Sequence, residues 1–217
     1  MTGTPSACLY RRVGSDSRNG SIPSRVATSR IASMMKPAQA SSILAKQTMP
    51  LALDGDTVEA FSVPACLTEI EVLVKGTWEP KIRFDLRASP DLPLLICSRA
   101  GLQSAIMNLL FNARDAMPGG GVISLVAAAI YEGHIATEIE VLVTDSGFGM
   151  ATDTLLRAID PFFTTKTTGL GGLGLPMVTH FAEEAGGRLY IESEPGIGTI
   201  VTLRLPVRPA TSDGERT

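Results

Sequence analysis

From Arg99 to Met117 the apolar residues Leu102, Ala105, Ile106, Leu109, Leu110, Ala113 and Ala116 recur at helical spacing. Together they make a wide stripe, and a helix carrying one must lay it against a core. Ser98 stands just before the stripe, where its hydroxyl can accept hydrogen bonds from the first-turn N–H groups. Pro118-Gly119-Gly120-Gly121 ends the helix, these being the residues least compatible with a helix interior.

The core that receives this helix is predicted from alternation on either side. Lys81 to Arg87 places Ile82, Phe84 and Leu86 on one face, the pattern of a half-buried strand. Val122–Tyr131 and Glu138–Thr144 read as two further strands, separated by a turn containing Gly133. A glycine-rich stretch, a helix over residues 173–185 and two last strands follow, Arg188–Glu192 and Thr199–Leu205, with Pro195-Gly196 turning between them. Strands with amphipathic helices segregated to one side predict a two-layer α+β sandwich, a mixed sheet with its helices on one face.

The remainder of the chain reads differently. Residues 1–25 hold Gly, Ser, Asn and Pro without apolar periodicity and are expected to be disordered. Residues 1–53 carry seven basic residues and one acid, Asp16, a composition shared by organelle transit peptides and, more plainly, by a disordered tail or the stump of an upstream region. A helical pattern runs from Val26 to Thr48 and is broken by Pro37. Residues 49–64 read as a loop, with a short helix over 65–75. The organised domain is expected over 78–206, with a frayed tail at 207–217.

Hydrophobic residues make up 44% and charged residues 19%, a globular composition. A net charge of −3 gives no reason to expect nucleic acid as a partner. No apolar run approaches the roughly 18–20 residues of a membrane-spanning helix, so no membrane segment is predicted and the expected location is the cytoplasm. Cys8, Cys66 and Cys97 are far apart and odd in number, which suits neither zinc nor a disulfide framework.

Three constellations carry chemistry. Asn108, Asn112 and Asp115 fall on one stripe beside the apolar face of the helix. Amide oxygens so placed suit a hard cation such as Mg²⁺ that takes other ligands from phosphates, although the same residues would also serve as a solvated helix face. Asp145-Ser146-Gly147-Phe148-Gly149-Met150 follows directly on a strand. A carboxylate beside two glycines suits a ligand that donates a hydrogen bond and lies against backbone, as an adenine amine does; an Asp-capped tight turn has the same sequence. Phe162-Phe163-Thr164-Thr165-Lys166 precedes Gly169-Leu170-Gly171-Gly172-Leu173-Gly174-Leu175, which runs into a helix N-terminus whose N–H groups favour anions. This stretch is neither a P-loop nor a dinucleotide fingerprint.

In this order and spacing the three resemble the histidine-kinase ATP-binding domain of the gyrase, histidine-kinase and mismatch-repair ATPase superfamily. Asn108 to Met117 looks like its N box and Asp145 to Met150 like its G1 box. Phe162 to Lys166 looks like its F box, Gly169 to Leu175 like its G2 box, and Pro195-Gly196-Ile197-Gly198-Thr199 like its closing turn. The resemblance covers residues 78–206 and implies the Bergerat ATP-binding fold. It implies that Asn112 coordinates Mg²⁺ on the phosphates of ATP, with Asn108 one turn earlier and Asp115 beside it. Asp145 would take the adenine amine, with Gly147 and Gly149 letting the base lie close and Thr199 supporting that side. Lys166 with Gly169, Gly171, Gly172, Leu173 and Gly174 would form a lid over the phosphates. Asn108, Asn112 and Lys166 would thus serve catalysis.

Three departures bear on the expectation. In hydrolysing relatives a glutamate stands four residues before the magnesium asparagine; Asn108 holds that place here, and an amide has no basicity. Phosphoryl transfer is therefore favoured over hydrolysis. The family commonly has Gly-Thr-Gly-Leu-Gly-Leu, and Gly171-Gly172-Leu173-Gly174-Leu175 lacks the threonine. A complete histidine kinase also precedes this domain with a dimerisation hairpin bearing a phospho-accepting histidine. Residues 26–77 resemble only a partial helical remnant of it plus a linker, and the two histidines, His134 and His180, fall in a turn and on a helix face. The expectation is a two-component kinase domain acting on a histidine-containing dimerisation domain or response regulator in trans, with a homodimer left open. The alternatives are a degenerate kinase or nucleotide-binding regulatory module that works by association, and a protein-serine kinase of the anti-sigma kind.

Overall fold

A computed structural model describes residues 57–165 and 172–207, together with a two-residue strand at Ile31–Ala32. In chain order the elements are β1 (Ile31–Ala32), β2 (Val58–Phe61), α1 (Val63–Thr77), β3 (Ile82–Ala88), β4 (Leu95–Ser98), α2 (Arg99–Asp115), β5 (Gly121–Glu132), β6 (Ile135–Asp145), α3 (Thr152–Arg157), α4 (Gly174–Glu184), β7 (Arg188–Glu194) and β8 (Gly198–Pro206). The main sheet has the order β1-β7-β8-β6-β5-β3, and β2 pairs with β4 in a separate ribbon. The β3–β5 pairing is parallel and the others are antiparallel, so the sheet is mixed, as expected.

Alternation decides which face of the sheet is covered. Ile123, Leu125 and Ala127 of β5, Ile139, Val141 and Val143 of β6, and Val201, Leu203 and Leu205 of β8 are all buried, while the residues between them are mostly half exposed. The buried set joins Leu102, Ile106, Leu109 and Leu110 of α2 and Val178 and Phe181 of α4 in one core. The helices therefore lie on one face, in a two-layer sandwich. Each fully buried Leu or Ile contributes about 1.5–3 kcal/mol.

Helix α2 starts and stops where its sequence says it should. Ser98 Oγ accepts from Gly101 N at 3.0 Å, and the helix ends at Asp115, just short of Pro118. At the C-terminal end Arg114 lies over the rings of Phe111 and Trp78, and Trp78 meets Phe84 edge-on, which ties α2 to the start of β3.

The packed unit takes in more of the chain than the expected 78–206. Val63, Cys66, Leu67, Ile70 and Val74 of α1 belong to the same core. Residues 58–61, expected as loop, are a strand, because Phe61 is buried and the segment pairs with Leu95–Ser98. Pro64 does not break α1: it sits in the first turn, where its missing N–H would have had no partner. Ile31–Ala32, expected within a helix, pairs antiparallel with Tyr190 and Ile191 as a strand. The other expectations for residues 1–56 and for 208–217 lie outside the described residues.

Candidate active site

The end of β6 sets the first wall of the site. Strand register places Asp145, the last residue of β6, opposite Thr199 of β8. Both are buried, the two polar residues that the core admits among those described. Asp145 Oδ1 accepts from Gly147 N at 2.8 Å, and the Thr199 N–H also bonds to the carboxylate. Burial pushes the Asp145 carboxyl above its ordinary value of 3.8, and the two backbone N–H groups pull it partly back. The result is a desolvated acceptor whose partners are fixed backbone.

Close backbone approach surrounds that carboxylate. Gly149 has φ 64° and Gly198 φ 137°, values that L side chains rarely adopt. A Cβ on Gly149 would run into the carbonyl of Glu194, and one on Gly198 into the carbonyl of Asp145. The glycines thus let the G1-like segment, the Pro195–Thr199 turn and the strand end meet.

The second wall is α2. Asn112 and Asp115 line the same cleft as Asp145, Gly149 and Thr199. Gly174 and Gly172 complete it from the other side. A Cβ on Gly174 would lie 3.2 Å from Asn112 Nδ2 and 3.7 Å from Asn108 Oδ1, so the N-terminus of α4 faces both asparagines. Asn108 itself is half-buried one turn from Asn112 and does not line the cleft. Gly147 packs on Ala116, and Leu173 precedes α4; neither lines the cleft. The Asp115 carboxylate takes a hydrogen bond from Arg114 at 2.9 Å.

The mouth of the cleft is formed by Phe163, Thr164 and Thr165. Phe162 N–H donates to Gly172 O at 2.9 Å, tying the Phe162–Thr165 segment to the residues just before α4, and Arg157 lies over the Phe163 ring at 4.2 Å. Lys166, Gly169 and Gly171 lie outside the described residues.

Sequence reasoning missed the apolar lining and one polar residue. Val143, Met150, Ile191 and Val201 give the cleft a flat, greasy floor, which suits a heteroaromatic ring. Val143, Ile191 and Val201 are strand residues that also belong to the core, and Met150 packs against it. Ser193 carries no motif at all. Its Oγ accepts from Met150 N at 2.8 Å, donates to Gly198 O at 3.0 Å and lies 2.9 Å from Thr199 Oγ1. His134 is exposed in the β5–β6 turn, and His180 is exposed on α4, 3.3 Å from Glu184; neither lines the cleft.

The donor set fits a cation that arrives with its own ligands. Among the described residues no group of three His, Cys, Asp or Glu could hold a metal alone. Asn112 offers a neutral hard oxygen to a cation such as Mg²⁺ that would complete its shell with phosphate and water, and the α4 N-terminus beside it favours those phosphates rather than the cation.

Residues 97–209 match the family described as histidine kinase-, DNA gyrase B-, and HSP90-like ATPase. Sporulation kinase E of Bacillus subtilis is 36% identical over 127 residues, which is 58% of this chain and 16% of that protein. Sensor histidine kinase ZraS of Escherichia coli K12 is 36% identical over 133 residues, 61% of this chain and 27% of that protein. The aligned region is thus less than a third of the length of these curated relatives. Among solved structures, the catalytic domain of histidine kinase ThkA superposes with a TM-score of 0.60 at 25% identity, covering 69% of this chain and 95% of that one. Full-length ShkA in complex with AMPPNP gives 0.61 at 25% identity, covering 72% and 32%. No helix among the described residues is long and apolar enough to cross a membrane. A buried carboxylate at a strand end, an asparagine face opposite a glycine-started helix and the matched span 97–209 converge: this chain belongs to the histidine kinase-, DNA gyrase B-, and HSP90-like ATPase family, and its domain is of the histidine-kinase type.

Proposed function

We propose that this domain binds Mg-ATP and transfers its γ-phosphate to a histidine supplied by another polypeptide of a two-component system, such as a dimerisation hairpin that then serves a response regulator. The observation that carries the reading is the pairing of Asp145 and Asn112 across one cleft, an acceptor at the deep end and an amide at the α4 end. In this reading Asp145 accepts from the adenine amine, and the apolar floor holds the ring. Asn112, assisted by Asn108, would hold Mg²⁺, which would supply neutralising charge to the phosphates. The α4 N-terminus, Gly172 and Gly174 lie on the side assigned to the phosphates, and Lys166 is assigned the positive charge that meets them.

What the chain's own residues supply is position and electrostatics, the main requirements of phosphoryl transfer. Asn108 has no basicity with which to activate water, so the reading favours transfer to a nucleophile already positioned by its own protein. His134 and His180 do not line the cleft, which favours an acceptor in trans. We place this chemistry in the cytoplasm, where ATP is available.

The test is incubation with γ-labelled ATP, alone and with a supplied histidine-hairpin domain, followed by acid and alkali treatment. Acid-labile, alkali-stable label on the supplied domain is the expected result. Acid-stable label would favour a protein-serine kinase instead. Intact ATP binding with no label on any of several hairpin domains would favour a regulatory module that acts by association.

A further inference from the structure

We infer that Ser193 is a positioning residue for base selection: it takes up the hydroxyl proton of Thr199, so that the deep end of the cleft offers acceptors only. The inference rests on the nucleotide-binding reading of the cleft and concerns its choice of base.

Ser193 Oγ has three neighbours: Met150 N at 2.8 Å, Gly198 O at 3.0 Å and Thr199 Oγ1 at 2.9 Å. A backbone N–H can only donate and a carbonyl can only accept. Ser193 therefore accepts from Met150 and spends its single proton on Gly198. The third contact is a hydrogen bond only if Thr199 donates to Ser193. That uses the one proton Thr199 has, and leaves its oxygen with lone pairs alone for anything entering the cleft.

Thr199 stands opposite Asp145 in the strand register, and both line the cleft. Asp145 accepts from the N–H groups of Gly147 and Thr199, and as a carboxylate it has nothing to donate. Two acceptors side by side favour a base edge that carries an exocyclic amine. They repel one that carries a carbonyl in the same place, because a carbonyl oxygen would meet lone pairs without a proton between them. Adenine carries the amine at C6 and hypoxanthine the carbonyl; hypoxanthine also has an N–H at the neighbouring N1, so the preference is set with both acceptors facing the C6 substituent. Ser193 sits outside the cleft lining and acts through Thr199.

The experiment measures binding of Mg-ATP and Mg-ITP by calorimetry to the whole chain, in the wild type and in Ser193→Ala. The wild type is expected to prefer ATP. Ser193→Ala frees the Thr199 proton to turn toward a carbonyl, so the ATP-over-ITP preference should fall about tenfold, mainly through tighter ITP binding. Loss of Ser193 as mere scaffolding would weaken both nucleotides alike and leave the ratio unchanged, which would overturn the inference. In a Thr199→Val background there is no proton to hold, and adding Ser193→Ala must then leave the ratio where it was. A further change in that background also overturns it. Should Ser193→Ala not fold, Ser193→Cys, whose thiol is a weak partner, is expected to shift the ratio in the same direction, and Ser193→Thr to preserve it. A wild type that binds both nucleotides without preference sinks the base-selection inference alone, whereas one that binds neither sinks the nucleotide-binding reading beneath it.

Discussion

Gly174, the first residue of α4, faces Asn112 of α2 so closely that a Cβ there would lie 3.2 Å from the Asn112 amide nitrogen. The glycine is thus a matter of space rather than of helix chemistry, since alanine is the better helix former by up to about 1 kcal/mol. Gly174→Ala is expected to leave thermal stability unchanged or slightly raised while weakening Mg-ATP binding at least tenfold. Thermal denaturation and calorimetry on the same sample check the two halves. A variant that binds ATP normally would remove Gly174 from the phosphate side of the site.

Asn112→Ala and Asp145→Ala each remove one end of the proposed nucleotide contact. Each is expected to weaken Mg-ATP affinity at least tenfold, about 1.4 kcal/mol. The two should differ in their dependence on the cation: loss at Asn112 shrinks when ATP is offered without Mg²⁺, and loss at Asp145 does not. Titrations with and without EDTA separate them, and an equal response of both variants to EDTA would put the metal assignment to Asn112 in error.

Much of this arrangement is legible in sequence because its parts are local. Ser98 announces α2 four residues before Leu102, and the stripe from Leu102 to Ala113 declares which face is buried. Asp145 is readable because the G1-like glycines follow it within four residues. The failures are contacts between distant residues or elements too short to carry a period. β2 has one buried position in four, so nothing in Val58–Phe61 alternates. α3 spans six residues, Thr152–Arg157, and its N-cap Ala151 has no side-chain hydrogen bond to mark it. Pro64 reads as a loop residue until Ser62 is seen to cap the helix through Ala65 N, which makes the proline part of a first turn. Ser193 is invisible for the plainest reason: its partner Met150 lies 43 residues away, and only the sheet brings them together.

Gly198 tests whether the Asp145 end of the cleft depends on backbone contact. Its φ of 137° disfavours any side chain, and a Cβ would collide with the Asp145 carbonyl. Gly198→Ala must shift β8 against β6 at the pair Asp145 and Thr199. It is expected to destabilise the fold by about 1–3 kcal/mol, the usual scale of such backbone strain. By contrast Gly196→Ala has open space around its Cβ and pays only for its φ of 77°. Urea denaturation should rank the two variants in that order, and the reverse ranking would show that the close approach at Gly198 is not what holds the turn.

The raised Asp145 carboxyl makes the stability of the fold depend on pH through the proton it carries. Burial makes the folded protein hold this proton to higher pH than the unfolded chain does, so between the two titrations the folded state binds more protons. The stabilisation from that proton is fully present below the unfolded value, near 3.8, and is lost as pH rises through the folded value. At neutral pH the buried carboxylate therefore weighs against the empty fold. Asp145→Asn carries no charge at any pH, so its stability relative to the wild type should increase as pH rises from about 4 and level off once the wild-type carboxyl is ionised. Binding runs the opposite way. The ionised carboxylate is the acceptor for the base, so wild-type ATP affinity should fall on acidification already at a pH where an ordinary aspartate would remain charged. Thermal denaturation of both proteins across the acid range, paired with ATP titrations of the wild type, reads both trends. A stability difference that is flat with pH would mean that Asp145 is no more buried in solution than an ordinary surface carboxylate, and the cleft would then lack the desolvated acceptor on which base recognition depends.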